Sequence, residues 1–73
     1  MKVETLNYIY NLLTKEVDTT RTLQQHTFKI LCEAEQTEND EEIEKANEDH
    51  QYMLRKYHEA LDALNEFKNK DWN

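Results

Sequence analysis

The chain has 73 residues, which is room for one small domain near the lower size limit of independent folding. It contains no Gly, no Pro and one Cys, which argues against β-hairpins, intrachain disulfides and structural zinc sites and favours an all-α fold. The formal net charge of −7 argues against the nucleic-acid phosphate backbone as the main ligand.

The first predicted element is a helix over residues 3–36. Mainly apolar residues recur there at steps of three and four, a spacing typical of a helix that packs against another helix, although Glu16, Thr20 and Thr27 make this stripe the weaker one. The positions of this stripe are Leu6, Ile9, Leu13, Glu16, Thr20, Leu23, Thr27, Ile30 and Ala34. Thr-rich residues 18–22 could break the helix, giving three helices over 3–17, 20–36 and 40–70. We favour a continuous helix because the spacing is maintained across the Thr residues.

Residues 37–39 are predicted to form the turn. Asn39 is a good N-cap, and Glu42 stands where a capping box would place a carboxylate. Acidic residues follow in the first turns of the second helix, while Lys68 and Lys70 stand in its last turns. Since the helix dipole favours this order of charges, we predict a second helix over about 40–70.

The second helix carries the clearer stripe. Its positions are Ile43, Ala46, His50, Met53, Tyr57, Ala60, Leu64 and Phe67. Folded back on the first helix, this stripe places Leu13 opposite Leu64 and Thr27 opposite His50. Residues 1–73 are therefore predicted to form a single antiparallel two-helix hairpin, coiled-coil-like, that dimerises into a four-helix bundle. We interpret His50 as a polar residue that fixes the register, with a pH-sensing role as the alternative.

Several apolar residues lie one step away from these stripes, so we expect an apolar face to remain exposed beside the hairpin. We predict the protein interface at Tyr10, Val17, Phe28, Leu31, Leu54, Leu61 and Trp72. The expected occupant is a second copy of the chain, and the alternative is a helix of another protein. The opposite flank is predicted to be mostly polar. The open end groups Tyr8, Tyr10, Phe67 and Trp72, and Trp72 would either join an aromatic anchor there or cover the end of the core.

We predict no catalytic, cofactor-binding or metal-binding residues, and hence no enzyme. The chain lacks Glu-x-x-His and His-Glu-x-x-His spacings and any Gly-rich phosphate loop, and a two-helix layer has no room for a pocket. The N-terminus does not resemble a signal peptide, and no run of residues is apolar enough for a membrane span. With the single Cys32, these features favour a cytoplasmic location.

The expected function is that of a small acidic helical interaction protein that binds and modulates a protein partner as a homodimer. Small proteins of this type are common among bacterial and bacteriophage accessory proteins, which is an analogy of composition. The alternatives are an acidic DNA mimic that uses residues 38–49, a hairpin dimer that binds structured RNA, and a structural assembly subunit. Binding of nucleic acid is the less favoured reading because basic residues are scattered among acidic ones.

Overall fold

The fold is a pair of antiparallel helices, as predicted. The structure is a computed structural model, and it describes residues 2–71. Helix α1 spans Val3–Thr37 and helix α2 spans Asp40–Asn69. Tyr10 lies beside Phe67 at the open end, and Thr27 lies beside His50 nearer the turn. Pairs at both ends therefore agree with the register that the sequence predicts.

Helix α1 is continuous through its Thr-rich segment. The Thr20 hydroxyl lies 2.8 Å from the carbonyl oxygen of Glu16, and the Thr22 hydroxyl lies 3.0 Å from that of Asp18. These side chains bond to the preceding turn of their own helix, so they need no partner outside it. The continuous helix is thus confirmed, and the alternative with a break at residues 18–22 is wrong.

The turn consists of Glu38 and Asn39. Glu38 has φ 58° and ψ 18°, the left-handed conformation that commonly ends a helix. The Asn39 side chain accepts hydrogen bonds from the backbone N–H groups of Glu41 and Glu42, as expected of an N-cap. The capping box does not form, because the Glu42 carboxylate lies 3.2 Å from the Thr37 hydroxyl, and the Asn39 N–H donates to that same hydroxyl.

The stripe of α2 packs against α1 as predicted, with Ala46, His50, Ala60 and Leu64 buried. The stripe of α1 differs from the prediction in one of its two rows. The predicted row of Glu16, Leu23 and Ile30 is exposed, and the adjacent row of Val17, Gln24 and Leu31 is buried or half-buried instead. Burying Val17 rather than Glu16 avoids the desolvation of a carboxylate, which explains the difference.

A polar layer crosses the hairpin core in the half next to the turn. Thr27 Oγ1 lies 3.0 Å from His50 Nδ1, and the same oxygen lies 3.0 Å from the carbonyl oxygen of Gln24. A short distance towards the open end, Arg21 Nε donates to the Tyr57 hydroxyl at 3.5 Å. That hydrogen bond, with the charge interaction between the two groups, raises the pKa of Arg21 above its ordinary value.

The molecule is a rod rather than a sphere. Its extents are 55 × 15 × 12 Å and its radius of gyration is 16.6 Å, whereas a globular chain of this length has a radius of gyration of about 11 Å. A rod of two helices leaves a large part of its side chains in contact with solvent, so its surface decides what it can bind.

Candidate protein interface

One flank of the hairpin carries most of the predicted interface residues. We call it the Leu54 face and define it by Tyr10, Phe28, Leu31, Leu54 and Leu61. Phe28 is 54% exposed and Tyr10 is 39% exposed, while the three leucines are half-buried. Leu61 also packs against the buried core. The apolar surface predicted on this flank is therefore present, with Phe28 as its most exposed member.

Val17 does not belong to this surface. It is 3% exposed and forms the hairpin core together with Ala60 and Leu64. The prediction that Val17 is left over beside the hairpin is wrong, because the inner row of α1 runs through Val17 instead of Glu16. Val17 therefore holds the two helices together and is not accessible to a partner.

Phe28 covers the polar layer from the outside. Its ring centroid is 5.4 Å from that of His50, with the ring planes tilted by 51°. His50 itself is 7% exposed. Leu54 stands one helical turn beyond His50 and so lies on the same side of α2. On the Leu54 face, Phe28 therefore covers the His50–Thr27 pair, and Leu54 follows one turn further along α2.

The opposite flank also carries exposed apolar residues, which the sequence prediction missed. We call it the Ile30 face and define it by Leu12, Leu23 and Ile30, which are 50%, 43% and 42% exposed. The prediction placed Leu23 and Ile30 inside the hairpin and expected this flank to be mostly polar. The signal that could have revealed it is Glu16, whose charge makes the whole row through Leu23 and Ile30 a poor choice for the core.

An open groove lies on this flank between the two helices, at the turn end. It has a volume of about 450 Å³. Three of its lining residues are apolar or small (Ile30, Ala34 and Ala46), and the others are polar or charged (Glu33, Thr37, Glu42, Lys45 and Asp49). Ala34 and Ala46 are buried. Their short side chains leave room between the helices, and this room forms the groove.

The groove lies in the acidic part of the chain. Residues 37–50 carry seven acidic side chains and one basic side chain. Within residues 2–71, ion pairs join Asp18 to Arg21 and Lys56 to Glu59, and neither pair involves this acidic segment. The negative charge beside the groove is therefore not neutralised by ion pairs within the described part of the molecule.

The open end carries the aromatic residues that the sequence grouped there. Tyr10 and Phe67 lie with ring centroids 6.5 Å apart, whereas Tyr8 is 65% exposed. Trp72, the remaining predicted interface residue, lies outside the described residues. The aromatic contact observed at this end is therefore that of Tyr10 with Phe67.

Residues 2–71 present no group of three or more His, Cys, Asp or Glu side chains placed to hold a metal ion. Cys32 is a free thiol at the surface. Neither of the two helices described is both long and apolar enough to cross a membrane. Comparison of the chain with models of protein families, with curated proteins and with solved structures gave no match.

Proposed function

We propose that this protein is a non-enzymatic helical interaction protein that binds and modulates a protein partner and acts as a homodimer. The observation that carries the proposal is the apolar surface that remains exposed after the hairpin has closed. Phe28 on the Leu54 face, and Leu23 and Ile30 on the Ile30 face, are each more than two-fifths exposed. Contiguous apolar side chains on the surface of a small protein usually mark a contact with another protein.

The surface area of the chain supports self-association. The accessible surface is 5854 Å², whereas a globular monomer of 8.9 kDa exposes about 4,800 Å². The difference is about 1,000 Å², and a standard protein–protein interface buries about 800 Å² on each partner. Pairing of two hairpins would therefore bring the exposed surface to the range typical of a compact protein.

The Leu54 face is the surface that we assign to this pairing. Leu54 and Leu61 lie on α2 and Phe28 lies on α1, so both helices contribute apolar side chains to one flank. Two such flanks related by a twofold axis place four helices around a common core, as in four-helix bundles. Half-buried leucines are suited to this position, because a partner can cover the part that the hairpin leaves exposed.

The acidic segment is better suited to a protein partner than to imitation of DNA. Residues 38–49 extend along about 15 Å of helix, whereas one turn of DNA is about 34 Å long. Binding of RNA is disfavoured because the basic residues are scattered among acidic ones, and two of them form surface ion pairs, Arg21 with Asp18 and Lys56 with Glu59. A structural assembly subunit remains the alternative, and self-association into species larger than a dimer would favour it.

The free Cys32 supports our assignment to the cytoplasm.

The test of self-association replaces the most exposed apolar residue of the Leu54 face. We expect Phe28→Asp to convert a dimer into a monomer in sedimentation equilibrium, since it places a charge at the most exposed apolar position of the Leu54 face. Tyr8→Asp is the matched control, because Tyr8 is also an exposed aromatic residue of α1 but lies on its outer side. A wild-type chain that stays monomeric at about 100 μM, a concentration that detects affinities down to roughly −5 kcal/mol, would contradict the homodimer. A Phe28→Asp variant that still dimerises would contradict the assignment of the face.

The test of partner binding is affinity purification from the source cell with the wild-type chain and the same two variants as bait. We expect one protein to co-purify with the wild-type chain and with Tyr8→Asp, and loss of that protein with Phe28→Asp would place the partner on the Leu54 face. If apolar contacts contribute to binding, that protein should stay bound during high-salt washing. The reason is that salt screens exposed charges far more than buried contacts.

A further inference from the structure

We propose that the groove between α1 and α2 at the turn end binds an amphipathic helix of the partner, with apolar residues on its inner side and Lys or Arg at its edges. This inference rests on the proposed function, and it adds the chemistry of the partner and the place where it binds. The groove lies on the Ile30 face, opposite the Leu54 face that we assign to self-association. The two sites can therefore be occupied at the same time.

The apolar part of the site is formed by Ile30 above a floor of Ala34 and Ala46. Ile30 is 42% exposed although it is β-branched and fully apolar, and the two alanines are less than one-tenth exposed. Large side chains from outside can approach the helix pair most closely where the residues between the helices are small. A helix laid in such a groove buries residues spaced at i, i+3, i+4 and i+7.

The charged part of the site determines which helix fits. Glu33, Glu42 and Asp49 line the groove together with a single Lys45, and no ion pair among the described residues neutralises the three carboxylates. A partner with basic residues on both sides of its apolar stripe would place opposite charges beside these carboxylates. Complementary charges of this kind raise the association rate and exclude acidic partners.

The same charges disfavour a second copy of the chain in the groove. In a twofold arrangement centred on this site, the acidic segments of residues 37–50, each with a net charge of −6, would lie next to one another. Like charges in contact across an interface cost several kcal/mol. The groove is therefore better matched to a basic partner than to self-association.

The experiment uses the full chain and synthetic helical peptides of about 14 residues, near the length at which helices form in water. The first peptide contains only Leu and Lys, with Leu at i, i+3, i+4 and i+7. The second has the same composition in an order that creates no apolar face, and the third has Glu in place of Lys. Binding is measured by fluorescence anisotropy at low and at high salt. We expect the first peptide to bind at least tenfold more tightly than the other two.

Variants of the protein then locate the bound peptide. We expect Ile30→Gln to weaken binding about fivefold, because glutamine keeps only roughly half of the apolar contact area that isoleucine offers to the peptide. The double variant Glu33→Gln/Asp49→Asn should weaken binding about tenfold at low salt and reduce the salt dependence. Glu42 is left unchanged because it lies within hydrogen-bonding distance of Thr37 in the turn. Phe28→Gln, on the opposite face, is the control and should leave the affinity within about twofold.

Several results would overturn the inference. One is failure of the first peptide to bind, and another is equal binding of the second, which would show attraction by charge alone. Equal binding by Ile30→Gln and the wild-type chain would place the peptide elsewhere. If Ile30→Gln abolished self-association in sedimentation, the occupant of the groove would be a second copy. Failure of the proposed homodimer shows up in sedimentation of the chain without peptide, so the two failures can be told apart.

Discussion

The two halves of the hairpin are held together by different kinds of contact. In the half with the free ends, Val17, Ala60 and Leu64 form a buried apolar cluster. In the half next to the turn, the buried side chains on α2 are those of Ala46 and His50. The open half thus has an apolar core with leucine and valine, whereas the turn half has a core of small and polar residues.

Two large apolar residues of the turn half, Phe28 and Ile30, are exposed instead. Phe28 covers the His50 ring from outside, and Ile30 lines the groove above Ala34. The buried residues there are small or polar, and the turn keeps the two helices together by its connection and its cap. The comparison indicates that the open half supplies most of the stability and that the turn half supplies most of the surface for binding.

The strongest test of this division is truncation of a leucine in the open half. Leu64 is 8% exposed, and Leu64→Ala should reduce the free energy of unfolding by about 3 kcal/mol through lost burial and the cavity left behind. The matched change in the turn half is Ile43→Ala. Because Ile43 is half-buried, we expect a loss of only about 1 kcal/mol.

Urea denaturation followed by circular dichroism measures both losses. It should be done on dilute protein, because self-association would add to the apparent stability of each variant. Leu12→Ala is the control at an exposed position and should change the free energy of unfolding by less than about 0.5 kcal/mol. Equal losses for Leu64→Ala and Ile43→Ala would show that the two halves contribute equally.

The second test concerns the polar layer in the turn half. Thr27→Val removes the hydroxyl that lies 3.0 Å from His50 Nδ1, so it should cost about 1–2 kcal/mol by leaving a buried polar atom unpaired. His50→Leu should be neutral or stabilising by up to about 1 kcal/mol. In that variant the Thr27 hydroxyl retains the carbonyl oxygen of Gln24 as a partner.

The double variant Thr27→Val/His50→Leu completes a mutant cycle, again measured by urea denaturation. Once the histidine has been removed, replacement of the threonine should cost about 1 kcal/mol less than it does in the wild-type chain. Strict additivity of the two free-energy changes would mean that the hydrogen bond contributes no stability. A double variant that forms mixed oligomers would support the role of this layer in fixing the register.

The sequence was sufficient to predict the hairpin, its register and the cap at Asn39. These features follow from local signals that agree with each other, namely the stripe of α2, the N-cap residue and the order of charges along α2. The pairing of Thr27 with His50 was predicted from the stripes alone and is confirmed.

The orientation of α1 about its own axis was harder to predict. Its two candidate inner rows each contain two apolar residues and one polar residue, so counting apolar residues does not separate them. The decisive difference is between Glu16 and Gln24, because burial of a carboxylate costs far more than burial of an amide. Because the prediction chose the wrong row, it placed the buried Val17 on the surface and placed exposed residues in the core. For the same reason it did not predict the Ile30 face. The groove could not be predicted either, since it depends on how closely the helices approach at Ala34 and Ala46.

The last prediction concerns the turn that joins the halves. Glu38 has a positive φ of 58°, a conformation that costs a residue with a β-carbon about 1–2 kcal/mol. Glu38→Gly removes this cost but gives the unfolded chain more freedom, so we expect a net gain of about 0.5–1 kcal/mol in the free energy of unfolding. Glu38→Gln is the matched control, because it removes the same negative charge from the C-terminal end of α1 and keeps the β-carbon. The control should gain only a few tenths of a kcal/mol from the helix dipole.

If thermal unfolding gave equal gains for both variants, charge rather than backbone conformation would limit the stability of the turn. A larger gain for glycine would show that the turn half tolerates backbone strain as well as a weak core.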